Sequence, residues 1–570
     1  MRSSFILRSR IIIVAFAIVA VFLLLRLYIV QVVNAESYRN RAENQYVSPA
    51  LSGEDRGDIF FTTKDGRESY AATMDSGFRV AIKPDRIEDA DELFTLLSGI
   101  LEIDKERFFA SAAKKDDPYE EVAFRVDKDT ANAIAKLNRE EIVLASERWR
   151  IYPADSQAAH VLGFVGFEGN ARRGQYGLER QWESTLALDE SSLYVNFFAE
   201  IFANIRSFAA NGSPNGQGDL VTSIEPSVQQ KLESVLAGVE SDYSGKQIGG
   251  IVMDPQTGAI IAMAVRPTFN PNTFNEEKGT SVFANSLVES VFEMGSIMKP
   301  LTVAAGLDSG AITPETTYQD LGSVEKSGQR ISNFDGKARG RVNMQEVLNQ
   351  SLNTGAVFIV DEMGKEAFAR YVKAFGLGER TQVDLPNEAK GLIQALDSGI
   401  DLDYASASFG QGIATTPIAM TRALAALANG GELVNPHVVE KVRYQSGLVN
   451  EPWQRQSRRV ISPETSETIT RMLVRVYDEA LLGGVLKKDR HSLAAKTGTA
   501  QIARQDGDGY YDDRIFHSFF GYFPAYDARF IIFLYVLEPQ GVSYASQTLS
   551  RPFDDLAQFI INTYDIPPDR

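Results

Sequence analysis

Apolar residues run without a break from Ile11 to Leu25, and after Arg26 the apolar character resumes as far as Val33. A span of about 23 residues is long enough to cross a bilayer as a helix, so a membrane anchor is predicted over 11–33. Arg2, Arg8 and Arg10 precede it with no acid among them, which predicts a cytoplasmic tail over 1–10 and an external location for everything after Glu36. Arg26 is the costly residue in that span, because a charge in hydrocarbon must snorkel or find a partner. The competing reading is a cleaved signal peptide ending near Val33-Asn34-Ala35. The length of the apolar stretch favours a retained anchor.

Beyond the anchor the pattern is mixed until a cluster of turn formers, Asn211-Gly212-Ser213-Pro214-Asn215-Gly216-Gln217-Gly218. A domain boundary is expected just after it, separating 34–218 from 219–570. The second segment opens with a helical pattern from Pro226 to Val239. A hairpin comes next, in which Gly250 to Met253 and Ala259 to Met263 flank the turn Asp254-Pro255-Gln256-Thr257-Gly258. A helix begun at Ser296 ends near Asp308-Ser309-Gly310, with glycine as its stop signal. Ser351-Leu352-Asn353 falls between the helical patterns Met344 to Gln350 and Thr354 to Met363, so it reads as a short turn that aims two polar side chains at one point. Thr416-Pro417 supplies a cap and a first-turn proline to a helix through Ala428. The last hundred residues read as three strands, Leu493 to Ile502, His517 to Phe523 and Phe530 to Leu537, and a helix from Pro552 to Tyr564 with Phe553, Leu556, Ile560 and Tyr564 on one face. The expected fold class is therefore α+β: a five-stranded, mainly antiparallel sheet, two strands before Ser296 and three after, covered by helices. It is preceded by a mixed α/β segment and the transmembrane helix.

At 570 residues the chain is too long for one core. Its net charge of −17 argues against nucleic acid as a partner, since a duplex binder needs a basic face. Zero cysteines exclude disulfides and thiol catalysis. His160, His437, His491 and His517 are scattered without the spacing of a metal site, so structural roles are expected for all of them.

Ser296 and Lys299 stand three positions apart, so on a helix hydroxyl and amine share a face. Pro300 places the helix start: its ring would clash with the carbonyl four residues back, that of Ser296, so Ser296 belongs at or beside the N-terminus. There the dipole favours an oxyanion and disfavours an ammonium. The same spacing recurs at Ser111/Lys114 and Ser323/Lys326, in polar surroundings that predict solvated surface. Ser296 is set apart by an apolar helix behind it and by two segments downstream, Ser351-Leu352-Asn353 and then Lys496-Thr497-Gly498-Thr499-Ala500. A serine activated by lysine needs that lysine's pKa lowered, which burial and a second cation such as Lys496 both accomplish.

The ordered triple Ser-x-x-Lys, Ser-x-Asn, Lys-Thr-Gly is the signature of penicillin-binding proteins and class A β-lactamases. On it the chain resembles a class B penicillin-binding protein, a monofunctional peptidoglycan D,D-transpeptidase of division or elongation type. Arg56-Gly57-Asp58-Ile59, Glu147 to Pro153, His160-Val161-Leu162-Gly163 and Gly177-Leu178-Glu179 resemble that family's pedestal motifs, although Phe60-Phe61-Thr62-Thr63 replaces the usual Asp-Arg-x-Gly. Glu179 is expected to form a structural ion pair or cap rather than to act as an acid. The resemblance implies Ser296 as acylated nucleophile, Lys299 as base, Ser351 as proton relay to the leaving amine and Asn353 as partner of Lys299 and substrate. It further implies Lys496, Thr497 and Thr499 binding the substrate carboxylate, Gly498 admitting the peptide to the strand edge, and an oxyanion hole from the N–H groups of Ser296 and Thr499.

The implied partners are peptidoglycan stem peptides (a D-Ala-D-Ala donor and an amine acceptor), β-lactams as inhibitors and a membrane glycan polymerase. No cofactor or metal is implied. The implied location is the bacterial cytoplasmic membrane, single-pass, with the catalytic domain outside. Two alternatives stay open: a D,D-carboxypeptidase or β-lactamase-like hydrolase, disfavoured by Leu352 where class A enzymes have aspartate, and a catalytically silent scaffold. Compact length and the lack of a C-terminal extension lean toward division.

Overall fold

The computed structural model describes residues 56–169, 171–187, 217–453, 457–504, 507 and 509–570. The tail and the anchor expected over 1–33 lie outside the described residues, among which no helix is long and apolar enough to cross a membrane. Residues 56–187 and 217–570 form one compact unit.

Strands β1 (Gln247–Met253), β2 (Ile260–Arg266), β3 (Ala494–Ala503), β4 (Tyr510–Phe523) and β5 (Phe530–Leu537) build a five-stranded sheet in the order β3-β4-β5-β1-β2. Every neighbouring pair in it is antiparallel. Helices α1 (Pro226–Tyr243), α2 (Lys299–Asp308), α3 (Met344–Asn349), α4 (Asn353–Met363), α5 (Pro417–Ala428) and α6 (Ser550–Thr563) surround it.

Side chains alternate across a strand, so the two faces sort by residue parity. Val252, Ile532, Leu534 and Phe519 join Leu232 and Leu236 of α1 and Phe553, Leu556 and Ile560 of α6 in one core. Ile251, Ile531, Phe533, Tyr535 and Phe520 join Ile297, Met298 and Leu301 in the other. Because both faces are covered, β5 reads as an unbroken apolar run. Helix α2 is buried on all sides from Lys299 to Gly306, as befits a helix in the middle of a core.

The segment before Gly218 and the residues after it share a sheet. Gly218–Thr222 is itself a strand, parallel to Ile59–Thr62 and antiparallel to Val439–Tyr444, inside a seven-stranded sheet that also holds Glu68–Ile82, Glu120–Val126 and Ile142–Ile151. The boundary expected after Gly218 therefore falls within a strand, and residues far downstream complete the same sheet. The turn formers at 211–216 lie outside the described residues.

The scattered motifs of this segment converge on Glu179, which is fully buried. Arg56 Nε donates to one carboxylate oxygen at 2.5 Å, Arg150 Nε donates to the other at 2.7 Å, and the Tyr152 hydroxyl joins at 3.2 Å. Burial alone would raise the Glu179 pKa, but Arg150 and Arg56 outweigh it and hold the carboxyl below its usual range. The expected structural ion pair is thus present. Ser111 departs from expectation: it is buried, not solvated, and donates to Glu120 at 2.8 Å, an acceptor it shares with Lys114. Ser323 accepts from Arg330, and Lys326 pairs with Asp361.

Candidate active site

Ser296 lies in a 3-10 turn, Gly295–Met298, that runs directly into α2, with Pro300 in the first helical turn. The turn is set by two glycines. Gly295 has φ +62°, donates its N–H to the Gly410 carbonyl at 3.0 Å, and a Cβ on it would stand 2.8 Å from the Thr499 carbonyl oxygen. Gly410 has φ +82°, and its Cβ would stand 2.2 Å from the Gly295 carbonyl oxygen. Only glycine tolerates both the left-handed backbone and the close approach. Gly410 lies more than a hundred residues from the serine and carries no signal a sequence reading could have used.

Lys299 is completely buried. Its Nζ stands 3.0 Å from Ser296 Oγ, 3.1 Å from Ser351 Oγ and 2.6 Å from the Ser351 carbonyl oxygen. Lys496, 3 % exposed, places Nζ 3.2 Å from the same Ser351 Oγ and donates to the Thr497 carbonyl at 2.8 Å. The Ser351 hydroxyl therefore sits between two amines, and the chain Ser296, Lys299, Ser351, Lys496 is continuous. Ser351 has φ +54°, a left-handed conformation uncommon for serine. In that conformation one residue turns both its carbonyl and its hydroxyl to Lys299.

Burial, with a further contribution from the Lys496 charge, holds the Lys299 ammonium well below the usual lysine range. Burial also brings Lys496 down from 10.5 to about 7. Both causes anticipated for the base are present.

Two expected contacts take another form. Asn353 donates its amide to the Ser332 carbonyl at 2.8 Å, and Lys299 finds its partners in Ser296 and Ser351 instead. Gly498 faces inward: a Cβ there would meet Ser518 Oγ at 2.3 Å and the Met294 carbonyl oxygen at 2.8 Å. Its small size thus lets β3 lie against the nucleophile turn. Ser518 completes that junction by donating to the Met294 carbonyl at 2.9 Å.

Thr497 and Thr499 occupy alternate positions of β3 and are half-buried. Thr499 Oγ1 accepts the Ala545 N–H at 3.1 Å. Among the described residues, β3 is an edge of its sheet and pairs with β4. Among the described residues, no group of three or more His, Asp or Glu side chains could hold a metal ion. Burial depresses His160 and His517 to about 4; His160 Nε2 lies 2.9 Å from the Val282 carbonyl and His517 Nδ1 lies 3.0 Å from the Thr548 hydroxyl.

A buried amine within hydrogen-bond reach of a serine at a helix N-terminus, backed by a second hydroxyl and a second amine, is the equipment of a serine acyl-transfer enzyme. Residues 248–558 match the penicillin binding protein transpeptidase domain and residues 55–196 match the penicillin-binding protein dimerisation domain, so the chain belongs to the class B penicillin-binding proteins. It is 28% identical over 556 residues to stage V sporulation protein D of Bacillus subtilis (96% of this chain, 84% of that protein). It is 26% identical over 457 residues to peptidoglycan D,D-transpeptidase FtsI of Escherichia coli K12 (79% and 73%). The fold is similar to that of penicillin binding protein 3 from Mycobacterium tuberculosis complexed with aztreonam, with a TM-score of 0.68 at 22% identity, covering 90% of this chain and 97% of that one.

Proposed function

We propose that the protein is a serine D,D-transpeptidase that cross-links peptidoglycan stem peptides through an acyl-enzyme on Ser296, and that β-lactams acylate the same hydroxyl. The observation that carries this reading is the unbroken relay from Ser296 Oγ through Lys299 Nζ and Ser351 Oγ to Lys496 Nζ. The activity for which the Escherichia coli relative is named supports the same reaction.

The donor stem peptide lies along the free edge of β3 as an added strand, its terminal carboxylate against Lys496, Thr497 and Thr499. Neutral Lys299 takes the Ser296 proton as Oγ attacks the carbonyl between the two D-alanines. The oxyanion faces the N–H groups of Ser296 and Thr499, each such donor being worth about 3 kcal/mol. The amide C–N bond breaks, and the proton reaches the departing D-alanine amine by way of Ser351. A second stem's amine then attacks the ester, giving its proton back along the same route, so that an amide forms and Ser296 is restored. In this division of labour 219–570 performs the chemistry and 34–218 is a non-catalytic pedestal. A single-pass anchor over 11–33 with its N-terminus inside, and a membrane glycan polymerase as partner, rest on the charge pattern and the family resemblance.

Ser296→Ala is expected to abolish labelling by a fluorescent penicillin, while the wild-type adduct persists and its mass maps to Ser296. Undiminished labelling of the variant removes the assignment. Turnover of the wild-type adduct within seconds assigns the chain to the hydrolases instead.

A further inference from the structure

Asp320 ends a short strand, Thr317–Asp320, that pairs antiparallel with Gly340–Asn343, and it is completely buried. Its Oδ1 accepts from Gly322 N at 3.0 Å, Asn333 Nδ2 at 3.0 Å and Thr354 Oγ1 at 2.8 Å. Its Oδ2 accepts from Asn333 Nδ2 at 3.1 Å and Arg339 N at 2.8 Å. Burial favours the neutral acid, yet these donors hold the carboxyl below its usual range, so it stays charged. No step of the reaction above uses it.

The groups this carboxylate holds lie on both sides of Ser351. On the C-terminal side, Asn333 Oδ1 accepts the Thr354 N–H at 3.2 Å, and the adjoining Ser332 carbonyl receives the Asn353 amide at 2.8 Å. On the N-terminal side, Arg339 Nε donates to Gln350 Oε1 at 3.0 Å. Gln350, Asn353 and Thr354 are thus tethered to Arg339 and to the Ser332-Asn333 pair, which share Asp320 as their anchor. Between them stands Ser351 with its left-handed backbone, a conformation that persists only where its surroundings over-determine it.

We infer that Asp320 is a positioning residue for the acylation step: by anchoring both flanks of Ser351 it keeps the carbonyl and hydroxyl of that residue on Lys299 and the hydroxyl within reach of Lys496. The inference rests on the transpeptidase reading of Ser296. Asp320→Asn keeps the shape but turns an NH2 group toward groups that are all donors, so the tethers cannot all be kept. Thr354→Val removes the hydroxyl that meets Asp320 Oδ1, Asn333 Oδ1 and the Tyr318 hydroxyl, with little change of volume, and Thr354→Ser retains it.

The test is stopped-flow acylation of the purified full-length chain by the chromogenic cephalosporin nitrocefin, resolved into the dissociation constant of the initial complex and the first-order acylation constant, on proteins whose melting curves show them folded. The expected result is an acylation constant about 10- to 100-fold lower in Asp320→Asn, the scale of misplacing a reacting group by about an ångström, with the dissociation constant within about 2-fold of wild type. Thr354→Val should share the direction and Thr354→Ser should restore the wild-type constant. A folded Asp320→Asn that acylates at the wild-type rate overturns the inference. So does Thr354→Val at the wild-type rate, which also decides the matter should Asp320→Asn fail to fold. Either result leaves the role of Ser296 intact, because wild-type acylation at that residue is measured in the same experiment.

Discussion

At the residue scale, the site depends on keeping two lysines where lysine is least at home. In Lys496 the pKa falls from 10.5 to about 7. Between those values the unfolded chain holds a proton that the folded chain does not, so unfolding takes up a proton and this residue makes stability rise with pH across that window. Below it the burial cost is fully present. Lys496→Met is therefore expected to raise stability near pH 7 by on the order of 2 kcal/mol, a margin that shrinks as pH approaches the ordinary lysine value. Thermal or urea unfolding of the two proteins at several pH values measures it, and a margin that widens with pH contradicts the assignment. Catalysis takes the opposite limb. The second-order acylation constant reports the free enzyme, so it should decline above about 7 as Lys496 loses the charge that holds the substrate carboxylate, and decline on the acid side as Lys299 gains a proton.

At the element scale, the nucleophile turn and strand β3 approach each other closely, and glycine is what permits it. A Cβ at Gly498 would stand 2.3 Å from Ser518 Oγ and one at Gly295 2.8 Å from the Thr499 carbonyl oxygen. Gly498→Ala is expected to push β3 off the turn. It should lower stability by about 1–3 kcal/mol and slow acylation at least about 10-fold, read from the melting curve and from penicillin labelling against time. The elements themselves were legible in the chain: the serine at a helix start, fixed by Pro300, the turn at Ser351 between two helices, the Thr416 cap whose hydroxyl accepts Ala419 N–H at 3.2 Å, and two strands before Ser296 with three after. Side-chain direction was less so. The family resemblance implies that Gly498 admits substrate to the strand edge; that Gly498 also packs on the nucleophile turn depends on elements two hundred residues away. Asn353 illustrates the same limit, since the Ser332 carbonyl that takes its amide lies on a hairpin with no signature.

At the scale of the whole molecule, one sheet ties the segment before Gly218 to residues as distant as Val439–Tyr444, and one buried carboxylate ties three sequence motifs together. Glu179→Gln leaves the buried Arg150 guanidinium without its charge partner and Arg56 with Glu183 alone. The expected cost is about 3–5 kcal/mol, seen as a lower urea midpoint, while the acylation constant of the folded protein stays at its wild-type value. A loss of acylation with an unchanged midpoint contradicts a purely structural Glu179. Hydrophobic periodicity could not locate the strand at Gly218–Thr222, because its partners, Ile59–Thr62 and Val439–Tyr444, lie far from it in the chain on either side.

The chain by itself determined the order of the chemical groups, the class of reaction and most of the elements, because these depend on residue type and short-range spacing: a proline that can stand only in a first turn, a hydroxyl three places from an amine, runs of apolar residues at strand length. The tertiary structure alone decided which atoms meet. The left-handed turn at Ser351, the Asp320 carboxylate behind it, the inward face of Gly498 and the depressed lysines all arise from close packing between distant segments, and packing is a property of the folded surface that no local pattern encodes.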